Sequence, residues 1–372
     1  MNTSAVHIPK VLLPAKGVDL EKWSVVACDQ FTAQPEYWER AGEIVGDAPS
    51  TLRLVYPEAY FLLGGKDRAP EIHAAMREYL GGGVFAPARE GFILTERKTA
   101  SGARVGLMMA IDLAEYDFSV GAQPLIRPTE GTVVDRIPPR VRIRKGAPLE
   151  LPHVMLLVDD PGKTLIEPLY AKRDSFELLY DTDLMLGGGH LRGYAVPDPV
   201  PVFAALDGFP SLKGEDPVLF AVGDGNHSLA TARQCYLDNP SEGTRYALVE
   251  VVNLYDDALI FEPIHRLLIG VDAEALEEAA RTRGIKLQHG DVRQVQPFLD
   301  EWLPKDVEVD YIHGDETLKQ LASKPGHYGI LLDKIEKETL FGTLVGGHVL
   351  PRKSFSMGEA EEKRYYMECR AL

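Results

Sequence analysis

The sequence predicts a mixed α/β fold. Three observations lead there. Short apolar runs, often rich in β-branched residues, alternate along the chain with segments of helical periodicity. The 34 glycines and 26 prolines are spread over all 372 residues, which implies many short elements joined by turns. Hydrophobic residues make up 45% and charged residues 26%, the balance of a globular chain that buries a large core without help from disulfides.

In chain order, residues 35–45 form the first clear helix, because Pro35 suits a first turn, where no N–H donor is needed. Residues 71–80 follow as a second. Strands are predicted at 92–95, 105–111 and 154–158, each an apolar run with turn residues near its ends. The run 218–222 is a further strand, and 228–236 a helix directly after it. Residues 246–253 form another strand, and 273–283 and 295–302 two more helices. A last strand is predicted at 329–332. The 187–189 glycine turn and the proline-rich 196–201 stretch suggest two regions, 1–200 and 201–372, the second carrying the motif discussed below.

Charge narrows the function classes. Lys+Arg total 40 against 56 Asp+Glu, a net of −16. So acidic a chain disfavours nucleic acid and anionic membrane as partners and leaves small molecules as the expected substrates. Cys28, Cys235 and Cys369 are odd in number, far apart and without a CxxC pair, which fits a reducing cytoplasm and offers no zinc cluster. The first twenty residues lack a basic start followed by an apolar run, and no stretch is long enough for a membrane span.

The sharpest local signal is VLFAVGDGNHSLATARQC, residues 218–235. An apolar strand enters Gly223, Asp224, Gly225, Asn226, His227 and Ser228, and a helix-forming run follows. Such a turn puts backbone N–H groups at the positive end of a helix dipole, where phosphate binds. Asp224 and His227, three apart, can face one site, the first to hold a divalent cation and the second to bind phosphate or move a proton. The alternative is a plain N-cap, in which Asn226 or Ser228 caps and His227 packs. Two better-known phosphate motifs do not fit. Ser228 stands where GxGxxG needs its third glycine, and Glu250 lies inside a strand. The 161–164 PGKT lacks the first glycine of a P-loop, Leu157 occupying that place.

A second signal is LIRPTEGTVVDRIPPRVRIRKGAPLE, residues 125–150. Arg140, Arg142 and Arg144 alternate with Val141 and Ile143, so on a strand all three would share a face. With Arg127 and Arg136 they could clamp an anion, or else make surface ion pairs. Glu130 is a candidate general base. His265 and Arg266, after Pro263, can reach a polyanion or cap a strand end. Asp29 and Cys28 sit at a strand end, with no base visible to activate the thiol. Lys353 and Ser354 lie in a loop punctuated by proline and glycine.

The pieces KWSVVACDQFTAQPEYW, IRPTEGTVVDRIPPR, VGDGNHSLATA, FEPIHRLL and LPRKSFSMGEAEEKRYY, in this order along most of the chain, resemble the bacterial and archaeal domain-of-unknown-function family 1015. That family's strand–helix motif usually reads DGHHR and is similar to the nucleotide-binding motif of the ParB/sulfiredoxin-like superfamily, which includes free-serine kinases. The resemblance implies a ParB/sulfiredoxin-like nucleotide-binding core with additional mixed-sheet elements. It also implies ATP or ADP with Mg²⁺. Asp224 and His227 match the motif's Asp and His, Asp224 as the metal ligand, and Glu130 matches the Glu that acts as base. Gly223, Gly225, Asn226 and Ser228 would cradle the nucleotide, with Arg136, Arg140 and Arg266 neutralising its charge. Asn226 and Ser228 replace the motif's first His and its Arg, which removes a fixed positive charge. Either another Arg substitutes, Arg266 or one of those at 136–144, or this branch has changed or lost the activity. The expected function is nucleotide-dependent phosphoryl transfer to the hydroxyl of a small metabolite, serine first. The rival is a non-catalytic sensor of nucleotide or phosphometabolite.

Overall fold

A computed structural model of the chain describes residues 5–62, 66–132, 134 and 137–372. The architecture is mixed α/β. The principal sheet begins at one edge with Ile126–Pro128, Phe220–Asp224, Met155–Val158 and Tyr246–Asn253. It continues with Gly102–Asp112, Ile93–Thr99, Gly189–Ala195 and Glu177–Leu184, and Val6–His7 pairs onto Gly102–Asp112. Strands from both sides of residue 200 thus share one sheet. Two adjacent pairs are parallel, Ile126–Pro128 with Phe220–Asp224 and Met155–Val158 with Tyr246–Asn253. The remaining pairs are antiparallel.

Both faces of the sheet are covered, which is why its central strands read as unbroken apolar runs. Leu156 and Val158 face one core with Leu107, Phe220, Val222 and Val249. Met155 and Leu157 face the opposite way, into a core with Ala221 and Val252. A third core collects Trp23, Trp38, Met108 and Leu248 with Tyr365, Tyr366 and Met367. The helices Pro35–Val45, Ala69–Gly81, Asn226–Asp238, Ala273–Thr282 and Val292–Trp302 form within three residues of their predicted bounds. The short strands shift by up to four, because apolar runs fix a strand's existence better than its ends.

One prediction is corrected. Residues Ile137–Arg144 are helical, so Arg140, Arg142 and Arg144 do not share a strand face. Pro138 and Pro139 sit in the first turn, where the missing N–H groups have no partner to lose. On a helix, Arg140 and Arg144 lie one turn apart, and each finds its own carboxylate, Glu58 and Glu150. Arg142 is exposed on another face.

A smaller sheet centres on Phe261–Ile269, with Glu308–His313 and His327–Ile330 on its two sides. Phe355–Met357 pairs with the start of the same long strand. The helices Ala273–Thr282 and Val292–Trp302 cover it through Leu276, Ala280, Val295 and Leu299.

The segment 362–371 is a strap running between the residues 11–27 region and the principal sheet. Trp23 Nε1 donates to the Met367 carbonyl at 3.0 Å, and Ser24 Oγ to that of Tyr366 at 3.0 Å. Backbone bonds tie Ala27 to Arg364, Tyr366 to Val25 and Leu12 to Cys369. Arg364 is 3% exposed and lies between Glu250 and Glu368, donating to Glu250 at 2.5 Å. Burial works against its charge, but the two carboxylates more than restore it. Gly106 makes room for this cluster, because a Cβ there would stand 2.3 Å from Glu250 Oε1. Removing one partner of a buried ion cluster leaves the others uncompensated, which costs about 3–5 kcal/mol. Arg364→Ala is therefore expected to lose stability of that order in chemical denaturation. A loss below about 1 kcal/mol would show that the cluster does not hold the strap.

Candidate functional site

A cleft of about 770 Å³ opens where the parallel strands Ile126–Pro128 and Phe220–Asp224 end. Parallel neighbours finish at the same edge, so the chain leaving one, Thr129–Gly131, meets the chain leaving the other, 223–228. Thr129 Oγ1 fastens the two together by donating to the Val222 carbonyl at 2.7 Å. Positions 130 and 224, which lie 94 residues apart in the sequence, therefore line one cavity. The strand Met155–Val158 runs antiparallel to Phe220–Asp224, so its entry residue, His153, arrives at the same edge.

The turn before Asn226–Asp238 is shaped by Gly225, whose φ of +83° is left-handed. Its N–H is taken by Asp224 Oδ1 at 3.0 Å, and the helix has no side-chain cap. The first-turn N–H groups beyond Gly225 therefore have no capping side chain to compete with a ligand. Asn226, His227 and Ser228 occupy that turn and all line the cleft. The Asn226 side-chain carbonyl is buried without a hydrogen-bond partner among the described residues, a vacancy for a donor.

Glu130 lines the same cleft. Its two carboxylate oxygens accept from the backbone N–H groups of Lys353 and Ser354, both at 3.0 Å. The loop that offers them is clipped on by Leu350 N–H to the Thr129 carbonyl at 2.8 Å, and Lys353 takes a left-handed φ of +58° there. Burial pushes the Glu130 carboxyl above the usual glutamate value, and the two N–H groups with Lys353 and Arg266 offset only part of this. A carboxylate has about four lone-pair positions, so these two bonds leave room for another donor.

Of the residues expected here, Gly223, Asp224, Gly225, Asn226, His227, Ser228, Glu130 and Arg140 line the cleft together. Arg140 does so with its charge engaged by Glu58. Arg136 lies outside the described residues. Arg266 corrects the expectation of a phosphate ligand. It is fully buried behind the cleft wall, donating to Gln296 Oε1 at 2.6 Å and to the carbonyls of Ile264 and Arg352. It braces the loop that holds Glu130. Its partner face is Tyr311, which also lies under the Arg352 guanidinium.

Three lining residues escaped sequence reasoning. Lys363 is buried, with Nζ 3.4 Å from Asp224 Oδ2. In EAEEKRYY it is masked by three flanking glutamates and looks like solvated surface. His153, whose Nδ1 is 2.7 Å from the Tyr366 hydroxyl, has as its only signal a place just before an apolar strand. Glu58 is legible only through Arg140. Asp29 also lines the cleft; burial raises its carboxyl, but His153, Gln30, Lys363 and Arg140 outweigh that and bring it below the usual range. Burial pushes the Cys28 thiol up to about 12, with Asp29 and Glu58 adding to it, so it stays protonated and unreactive. Glu250 is locked inside its strand by Thr95 and Arg364, and the 161–164 turn is closed by Asp160, so neither of the two better-known phosphate motifs exists here.

A family profile described as "Protein of unknown function (DUF1015)" matches residues 12–367. The chain belongs to the DUF1015 family. No curated protein matches this DUF1015 chain. Solved structures similar to it include a free serine kinase in complex with AMP, 12% identical over 70% of this chain and 90% of that one, TM-score 0.41. A variant of a free serine kinase in complex with ADP gives the same identity and score over 70% and 91%. A conserved hypothetical protein from Pyrococcus furiosus is 11% identical over 71% and 94%, TM-score 0.35. No helix among the described residues of this DUF1015 member is long and apolar enough to cross a membrane.

The glycine turn yields a direct prediction. Gly225→Ala would force a side chain into the left-handed region and set its Cβ 3.0 Å from Val154 Cα. The conformational cost alone is about 1–2 kcal/mol. Chemical denaturation should show at least this loss; an unchanged midpoint would mean that the turn relaxes freely.

Proposed function

We propose that the cleft carries out nucleotide-dependent phosphoryl transfer to the hydroxyl of a small metabolite, with free serine the first acceptor to test. The observation that carries this reading is the meeting, in one cavity, of an uncapped glycine turn at a helix N-terminus and a half-buried carboxylate with a raised proton affinity. Phosphoryl transfer asks little else of a protein than fixing the phosphates, balancing their charge and aligning the acceptor.

The residues divide accordingly. Backbone N–H groups of the 226–228 turn hold the phosphates, and His227 faces them. Arg352 and Lys353 bring positive charge at the cleft edge. Glu130 accepts the proton as the acceptor oxygen attacks the terminal phosphorus. The bridging P–O bond then breaks, and the shortened nucleotide leaves with the electron pair. Asn226 accepts a hydroxyl or ammonium donor from one of the ligands. Among the described residues no group of three or more His, Cys, Asp or Glu is placed to hold a metal. Asp224 alone would hold Mg²⁺, which supplies charge neutralisation at the phosphates it travels with.

A non-catalytic sensor is the second reading. It is favoured by the bonds that engage both Glu130 oxygens, since a strut needs no chemistry. Incubation with ATP, Mg²⁺ and serine separates the two: phosphoserine supports the enzyme, whereas thermal stabilisation by nucleotide without product supports the sensor. For the enzyme, Asp224→Ala should abolish turnover with the fold intact by circular dichroism; unchanged ATP consumption would refute its role. The pH profile is a separate check. A raised carboxyl binds its proton earlier as pH falls, so activity should decline at a pH above the ordinary glutamate value of about 4.3. Glu130→Gln should remove that acid limb and cost roughly 10²–10⁴ in rate. An acid limb that survives in the variant assigns the base elsewhere.

A further inference from the structure

The cleft has an electrostatic problem. Asp29, Glu58, Glu130 and Asp224 all line it, in a chain of net charge −16. A polyphosphate does not enter such a space without a cation near the glycine turn. Arg140 is engaged by Glu58, Arg266 is turned away into backbone carbonyls, and Arg352 and Lys353 are exposed. Lys363 differs from all four. Its side chain is only 9% exposed, and its ammonium lies 3.4 Å from Asp224 Oδ2 and 3.2 Å from Ser356 Oγ. An ammonium carries three donors, so these two partners leave one.

The backbone beneath it is unusually well fixed. Arg97 and Arg104 stand directly opposite each other on adjacent strands, and both are buried. Arg97 donates to the carbonyls of Glu361 (2.9 Å) and Lys363 (3.4 Å), and Arg104 to that of Glu362 (3.2 Å). The next residue is Arg364, anchored between Glu250 and Glu368. Two cross-strand guanidiniums thus take three successive carbonyls, and the lysine borne on them projects into the cleft beside the motif aspartate.

We propose that Lys363 is the phosphate-binding cation of the cleft, held at the glycine turn by the strap rather than supplied by the turn or the helix after it. The assignment rests on the phosphate-site reading given above. A lysine suits the task because it acts as a compact point charge, whereas a guanidinium reaches two oxygens at once.

The test uses full-length protein with inorganic pyrophosphate, ADP and adenosine as probes, binding being read by calorimetry and thermal shift. Lys363→Met keeps the length of the side chain and removes the charge. It should weaken pyrophosphate and ADP by roughly ten- to a hundredfold, with adenosine little changed. Lys363→Arg should recover part of the loss. Lys353→Met, at an exposed cation of the same cleft, should have a smaller effect. Should Lys363→Met be unfolded by circular dichroism, Lys363→Arg and Lys363→Gln give the same comparison. Wild-type binding that persists unchanged in a folded, charge-free variant overturns the assignment. If the wild-type protein binds neither pyrophosphate nor ADP, the phosphate-site reading itself fails, which is a different result.

Discussion

The interaction on which the rest depends is the burial of Arg364 between Glu250 and Glu368. A charge that deep is tolerable only with its partners in place, and both partners are themselves fixed. Glu250 belongs to a central strand, and Gly106 on the neighbouring strand leaves its side chain space. Glu368 receives the Tyr180 hydroxyl from the edge strand Glu177–Leu184. The cluster therefore admits one placement of the strap. From that placement follow the position of Lys363 at the cleft, the hydroxyl of Tyr366 against His153, and the docking of the residues 11–27 region through Trp23 and Ser24.

Much of the secondary structure was legible because it rests on local periodicity. Pro35–Val45 and Tyr246–Asn253 fall on their predicted bounds. The site was half legible. The Gly223–Ser228 turn announces itself by composition, and Glu130 by resemblance, but no local signal says that their strands lie side by side and parallel. The arginine run at 140–144 misled because alternation has two explanations, and the two prolines ahead of it, which favour a helical first turn, were the better guide. Arg266 misled for a different reason. Type and position suggested a ligand, yet every nitrogen of its guanidinium donates to backbone or to Gln296. Lys363 was invisible since its ion-pair partner, Asp224, is remote in the sequence.

Glu130 combines two demands that oppose each other. As a strut it clasps the N–H groups of Lys353 and Ser354, which favour the ionised form. As a group surrounded by protein it is pushed toward the neutral form, and that influence is the larger. The balance leaves a carboxylate that is held still yet takes up a proton readily, a combination that neither burial nor hydrogen bonding gives alone. Lys353, at the clasp, takes a left-handed φ, a conformation that costs a residue with a side chain some strain.

The strap also fixes an order of events during synthesis. Trp23 is 344 positions from its carbonyl partner Met367, and Asp224 must await an ammonium encoded well over a hundred codons later. While the ribosome is still adding those residues, the hydrophobic face that the strap will cover stays open to water, and the nascent cleft lacks one wall. Chains interrupted before this point would carry the glycine turn without the means to finish it, exposing sticky surface to the cell's chaperones and proteases.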